Sequence, residues 1–107
     1  MNELESFKEW NNKIEEQQEV LNKVIIAFYK EIDLKVKMVN RGLLDQLSAF
    51  DELKGMLSGI DLTAKVIAPD NVLPITTHNF LEHLFLGDNE QRSYAKEYLY
   101  GFLKSVE

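Results

Sequence analysis

The stretch from Glu3 to Arg41 constrains the fold of this chain more than any other. No Gly or Pro interrupts it, and as a helix it places apolar side chains at eight of the eleven positions of a heptad seam. Such a helix buries its seam against another helix, so the sequence predicts an all-α protein. The seam positions are Leu4, Phe7, Asn11, Ile14, Gln18, Leu21, Ile25, Phe28, Ile32, Lys35 and Val39.

The predicted helix, over residues 3–41, is also unusually long for the chain that carries it. At 1.5 Å per residue it would measure about 57 Å, well beyond the diameter of a compact domain of 107 residues. The residues after Arg41 are too few to cover a seam of this length. The sequence therefore favours a protein partner for part of the seam, most simply a second copy of the chain in a homodimer.

Gly42 is a suitable left-handed stop for the long helix, because it follows the basic end of the segment. Apolar residues then continue at helical spacing as far as Gly59, which predicts a second helix over 43–58, folded back on the first. The alternative is that the first helix runs straight through Gly42, at a cost of about 1 kcal/mol relative to Ala. The change in charge at this point favours the helical hairpin.

The rest of the chain predicts a short helix or loop over 60–76 and two shorter C-terminal helices over 77–86 and 89–105. Asp88 and Gln91 have the spacing of a capping box at the start of the last helix. The apolar loop from Val72 to Ile75 either is pinned to the bundle or forms a patch for a partner. Together these elements predict a single helical domain over 1–107, in which the C-terminal helices close a small bundle.

Composition narrows the class of function. The net charge is −6, from 18 acidic and 12 basic residues, which disfavours direct nucleic acid binding. The absence of Cys excludes thiolate metal sites and Cys nucleophiles. The longest apolar run, Val24 to Tyr29, is six residues, and no signal-peptide pattern is present. We therefore expect a cytoplasmic protein that does not bind a membrane.

Two clusters have the residue types of a metal or acid–base site. His78 and Glu82 share a helix face, but His83 points about 100° away, which leaves a zinc site incomplete. Glu16 and Glu19 have the Glu-x-x-Glu spacing of helical metal-dependent hydrolases, but no second acidic pair completes the site. The sequence thus indicates no catalytic residue, metal or cofactor, and we expect a protein that is not an enzyme.

The candidate partner-binding residues lie in the first half of the long helix. They include Asn11 and Gln18, two polar residues at seam positions. One interpretation is that these residues fix the register and the partner of a helix pair, and the other is that this half is less buried and tolerates polar residues. The full set of candidates is Leu4, Phe7, Trp10, Asn11, Ile14, Gln18 and Leu21.

Three functions are consistent with these patterns. The first is a non-catalytic helical interaction module, such as an adaptor, an assembly chaperone or a small inhibitor of a larger protein, that self-associates through the N-terminal helix. The alternative is an acidic nucleic-acid mimic that inhibits a DNA- or RNA-binding protein, of the kind that some mobile elements encode. The third and least favoured is a helical metal-dependent hydrolase. The acidic surface of the mimic would be Glu3, Glu5, Glu9, Glu15, Glu16 and Glu19.

Overall fold

The computed structural model describes residues 3–67 and 76–106, and four α-helices contain nearly all of them. The helices are α1 (Glu3–Asn40), α2 (Gln46–Ile67), α3 (Thr76–Leu86) and α4 (Asn89–Ser105). No residue within the described ranges lies in a β-strand, so the predicted all-α fold with a long N-terminal helix is confirmed. Some side chains within the helices lie outside the description, namely those of Glu3, Leu4, Phe7, Trp10, Ile14, Ile67, Thr76, Thr77 and His78.

The four helices form a ring around one hydrophobic core. α1 packs against α2 and α4, and α3 packs against the same two helices from the other side. The largest side chains without exposed surface come one from each helix, namely Ile32, Leu53, Leu81 and Leu99. The second half of α1 therefore buries its seam inside the bundle, as the heptad pattern predicts.

A Schellman motif ends α1. Gly42 has a φ of +74°, a left-handed conformation that Gly adopts without steric cost. Its N–H donates to the carbonyl of Val39 at 3.0 Å, and the N–H of Leu43 donates to the carbonyl of Met38 at 2.9 Å. The chain turns back at this point, so the helical hairpin is confirmed and the alternative of one helix running through Gly42 is wrong.

The start of α2 differs from the prediction because Asp45 caps the helix. One oxygen of this carboxylate accepts the backbone N–H of Ser48 at 2.8 Å, and the other accepts the Ser48 hydroxyl at 2.8 Å. These hydrogen bonds lower the pKa of Asp45, because they stabilise its charged form. The helix therefore begins at Gln46, three residues later than predicted.

The end of α2 also differs from the prediction. The helix continues through Gly59 to Ile67, so its predicted end at residue 58 is wrong, as is a separate short element beginning at residue 60. A helical Gly costs only about 1 kcal/mol relative to Ala. Burial of Leu57 and Ala64 on one side of the helix offsets this cost. The predicted apolar loop at 72–75 lies outside the described residues.

The turn between α3 and α4 follows the sequence prediction closely. The N–H of Gln91 donates to the Asp88 carboxylate at 2.8 Å and the N–H of Asp88 donates to Oε1 of Gln91 at 3.0 Å, which confirms the capping box. A Cβ on Gly87 would lie 2.5 Å from the carbonyl oxygen of His83, so only Gly fits there. Arg92 donates to the carbonyl of Gly87 at 2.7 Å and to Oε1 of Gln46 at 3.3 Å, which joins this turn to the start of α2.

The molecule measures 60 × 25 × 20 Å, and α1, at about 57 Å, spans its longest dimension. α2 has 22 residues and is therefore only about 33 Å long. Leu21 and Ala64 form the last buried cluster between the two helices, and α2 ends three residues after Ala64. Residues 3–17 of α1, which we call the overhang, thus extend past the end of α2.

Candidate functional site

Five of the seven predicted partner-binding residues lie on the overhang. α1 is one uninterrupted helix, so four of these five keep the heptad register of Leu21 and Phe28, which are buried in the bundle, and Trp10 lies beside that seam. The side chains of four of them are outside the description, and their part in an interface stays a prediction. The five residues are Leu4, Phe7, Trp10, Asn11 and Ile14.

The two polar seam residues of this half are both exposed in the single chain. Asn11 and Gln18 are exposed, and the amide of Gln18 donates to Oδ1 of Asn22 at 2.9 Å. Their exposure agrees with the interpretation that this half of the helix is less buried within its own chain. The other interpretation, in which they fix a register, requires a second helix and stays a prediction.

Leu21, the seventh candidate, belongs to the bundle. Its side chain is only 3% exposed, and it packs with Ala64 near the end of α2. Among the seam residues whose side chains the structure describes, burial within the chain therefore begins at Leu21, one turn after Gln18. Leu21 thus belongs to the buried part of the seam rather than to a surface open to a partner.

Lys35 shows how the bundle accommodates a polar residue at a seam position. Its ammonium lies 2.7 Å from a carboxylate oxygen of Glu52 on α2 and 3.6 Å from Glu31 on α1. The hydrogen bond that Lys35 donates to Glu52 raises the pKa of Lys35, because it stabilises the charged ammonium. In the bundled half, a polar seam residue thus joins α1 to α2.

The carboxylates of the first half of α1 form a solvated face. The described side chains of Glu5, Glu9, Glu15, Glu16 and Glu19 are all exposed, as are Lys8 and Lys13 between them. Glu19 lies 3.6 Å from Lys23 one turn away, so one member of the Glu-x-x-Glu pair has a basic neighbour.

The two candidate metal clusters lie on α3 and on the first half of α1. Glu82 and His83 are exposed on α3, while the side chain of His78 lies outside the description. Within the described part of the chain, no group of three or more His, Cys, Asp or Glu residues comes together in a way that could hold a metal ion. The arrangement of these residues favours contact with solvent rather than coordination.

An apolar groove of about 620 Å³, which the sequence pattern does not predict, runs between α1 and α2 beside the base of the overhang. Within it, Met56 is 42% exposed, Ala27 is exposed and Val24 is half-buried. The hydroxyl of Thr63 donates to the carbonyl of Gly59 at 2.8 Å, so this polar group is satisfied within the chain. The lining residues are Leu21, Val24, Ala27, Phe28, Glu31, Met56, Gly59, Ile60, Thr63 and Ala64.

Two glycines on α2 are not explained by packing within the chain. A Cβ built on Gly55 or Gly59 would meet no described heavy atom within 4 Å, apart from the backbone of its own helix. Each Gly in a helix interior costs about 0.5–1 kcal/mol relative to Ala. Gly59 lines the α1/α2 groove, whereas Gly55, one turn earlier, does not.

A second groove, of about 500 Å³, lies between α3 and α4 and is aromatic. Tyr94 and Tyr98 on α4 are 76% and 51% exposed there, although helical spacing predicts them on the apolar face. The rings of Phe80 and Tyr98 meet edge-to-face at 5.2 Å, and Tyr29 lies 4.2 Å from Phe102. Because these rings pack largely on one another, we interpret the groove as the outer layer of the hydrophobic core.

No helix in the described ranges is long and apolar enough to cross a membrane. Comparison of the chain with protein-family models, with curated proteins and with solved structures gives no match. The function must therefore be inferred from the geometry of α1 and of the two grooves.

Proposed function

We propose that this protein is a non-catalytic helical interaction module that self-associates through the overhang of α1 and acts on a larger protein as an adaptor, an assembly chaperone or a small inhibitor. The observation that supports this proposal is the difference in length between α1 and the helices that cover it. α1 has 38 residues, whereas α2 has 22 and α4 has 17. An amphipathic helix that leaves its bundle gains stability by burying its apolar seam against a partner.

The heptad register supports the same proposal. In the bundle, the seam positions Leu21, Phe28 and Ile32 are at most 6% exposed. The same seam continues into the overhang as Phe7 and Ile14, with no break in the helix. A partner helix would bury the seam of the overhang, as α2 buries the seam in the rest of α1.

The mass of the protein in solution tests self-association directly. We expect size-exclusion chromatography with light scattering to give the mass of a dimer at micromolar concentration. Ile14→Asp should convert that dimer to a monomer, because it places a charge in the apolar seam. A compact wild-type monomer at the same concentration would contradict the proposal.

Asn12→Asp is the matched control for Ile14→Asp. It adds the same charge to the same part of the helix, but residue 12 is exposed and lies outside the seam positions. The control should stay dimeric, and circular dichroism should show equal helix content in both variants when they are compared at the concentration of the monomer. Equal effects of the two substitutions would point to general charge repulsion rather than to the seam.

The acidic nucleic-acid mimic is supported by one observation, the exposure of five glutamates in the first half of α1. The interspersed Lys8 and Lys13, both exposed, weaken it. Binding to a basic nucleic-acid-binding protein should in this case fall steeply as salt is raised. Binding that does not change with salt would exclude the mimic.

A further inference from the structure

The α1/α2 groove has the features of a docking surface for a helix. It is largely apolar and lies on the outer surface between two helices. Its one hydroxyl is satisfied internally, and its one carboxylate, that of Glu31, lies 3.6 Å from Lys35. Gly59 leaves space above α2 that no described side chain of the chain fills. A Gly weakens the helix that carries it. Close approach of another helix at this point would explain why Gly59 is present in the groove.

The charges beside the groove complement the overhang. Lys23 and Lys30 lie one turn before and one turn after Ala27, and all three are exposed. Lys23 lies 3.6 Å from Glu19 on the same helix, whereas none of the described residues forms an ion pair with Lys30. Residues 1–22 carry six Glu and two Lys, a net charge of −4, whereas residues 21–31, the part of α1 that lines the groove, carry two Lys and one Glu, a net charge of +1. An acidic helix with an apolar seam therefore suits this groove, and the overhang is such a helix.

The overhang of one chain cannot reach the groove of that chain, because both belong to the same continuous helix α1. It can reach the groove of a second copy. The overhang is about 22 Å long, and the part of α1 that lines the groove, residues 21–31, is about 16 Å long. A two-fold axis across α1 near Gln18 would place the overhang of each copy along the groove of the other.

We propose that the α1/α2 groove of one copy receives the overhang of a second copy, in an antiparallel and reciprocal pairing. This inference rests on the proposed self-association and identifies the surface that the overhang binds. Antiparallel pairing sets the acidic overhang beside Lys23 and Lys30, whereas parallel pairing sets the two acidic halves side by side. The reciprocal arrangement fills both grooves, so the assembly closes as a dimer.

Two glycine substitutions in the full chain test the groove. Gly59→Gln fills the groove with a side chain that favours helix, and Gly55→Gln places the same side chain one turn away, outside the groove. Neither Cβ meets a described atom of the fold, so both variants should remain folded and melt no lower than wild type as monomers. Analytical ultracentrifugation should show a dimer dissociation constant at least tenfold higher for Gly59→Gln and less than threefold changed for Gly55→Gln.

The possible failures are distinguishable. If the wild-type chain dimerises and the two glycine variants dimerise equally well, the groove is not the docking surface, and self-association through the overhang stands. If the wild-type chain does not dimerise at all, both the groove and the proposed self-association are overturned.

The direction of pairing has its own test, since the native chain has no Cys. A nitroxide on Ser6→Cys, at an exposed position of the overhang, reports the distance between two copies by pulsed electron paramagnetic resonance. With the two-fold axis near Gln18, the two labelled backbones are about 36 Å apart along α1. A parallel pair would bring them to about 10 Å, and that result would overturn the antiparallel arrangement.

Discussion

The two halves of α1 share one heptad pattern and meet different surroundings. From Leu21 onward the seam lies within the bundle, where its side chains are buried or half-buried, and Ile32 has no exposed surface. In the overhang the described residues are nearly all exposed, and α2 has already ended. A heptad pattern therefore predicts a face that can be buried, whereas the lengths of the neighbouring helices decide how much of that face lies within the bundle.

The polar seam residues show the same contrast. In the bundled half, Lys35 is paired with Glu52 and Glu31, so its charge is compensated. In the other half, Asn11 is exposed, and Gln18, also exposed, donates a hydrogen bond to its neighbour Asn22. A polar residue at a seam position can therefore be paired inside the bundle or exposed outside it. The type of residue alone does not tell which of the two applies.

The largest expected difference between the two halves is in stability. Ile32→Ala should lower the free energy of unfolding by about 2–5 kcal/mol, because it opens a cavity in the core. Ile14→Ala removes the same atoms from the overhang and should change the stability of the dilute monomer by less than about 0.5 kcal/mol. Chemical denaturation followed by circular dichroism measures both. Equal losses would mean that the overhang packs against its own bundle.

An intermediate effect, on the affinity of the dimer, is expected from substitution of Asn11, the polar seam residue of the overhang. Asn11→Leu should tighten the dimer by at least about tenfold, or ~1.4 kcal/mol, because an apolar residue replaces a polar one at the seam. The register should become less defined, so the distance distribution of the Ser6→Cys label should broaden. A dimer that is weakened by Asn11→Leu would show that the seam around residue 11 is not at the interface.

The smallest expected effect is on stability, and it comes from the N-terminal cap of α2, the helix that covers the bundled half of α1. The pKa of Asp45 is lowered in the folded protein by hydrogen bonds from Ser48. Its contribution to stability is therefore present above its unfolded pKa of about 3.9 and is lost as the pH falls through the folded pKa. Asp45→Ala should be less stable than wild type at neutral pH, and the difference should shrink in acid. A difference that is constant down to strongly acidic pH would contradict this role.

Much of the fold could be predicted from local signals in the sequence. Gly42 marked the turn, because its left-handed conformation and the basic residues before it are typical of a helix end. Asp88 and Gln91 marked the start of α4 through their spacing. These signals are strong because each depends on hydrogen bonds between residues close in sequence.

The length of α2 was less predictable because two opposing signals overlap. Gly59 suggested an end, although Leu53, Leu57, Ile60 and Ala64 continue the apolar spacing through it. The burial of Leu57 and Ala64 prevails, since one helical Gly costs little. The α1/α2 groove could not be predicted, because it forms only when Val24 and Ala27 of α1 are brought beside Met56 and Gly59 of α2.

Hydrogen–deuterium exchange along α1 at several protein concentrations tests the central contrast most directly. Amides of residues 25–40 should be protected at every concentration, because this half is held in the bundle. Amides of residues 5–17 should be protected only at concentrations where the dimer forms and should exchange quickly in the dilute monomer. Protection of the overhang that does not depend on concentration would contradict the account, as would rapid exchange of the overhang at all concentrations.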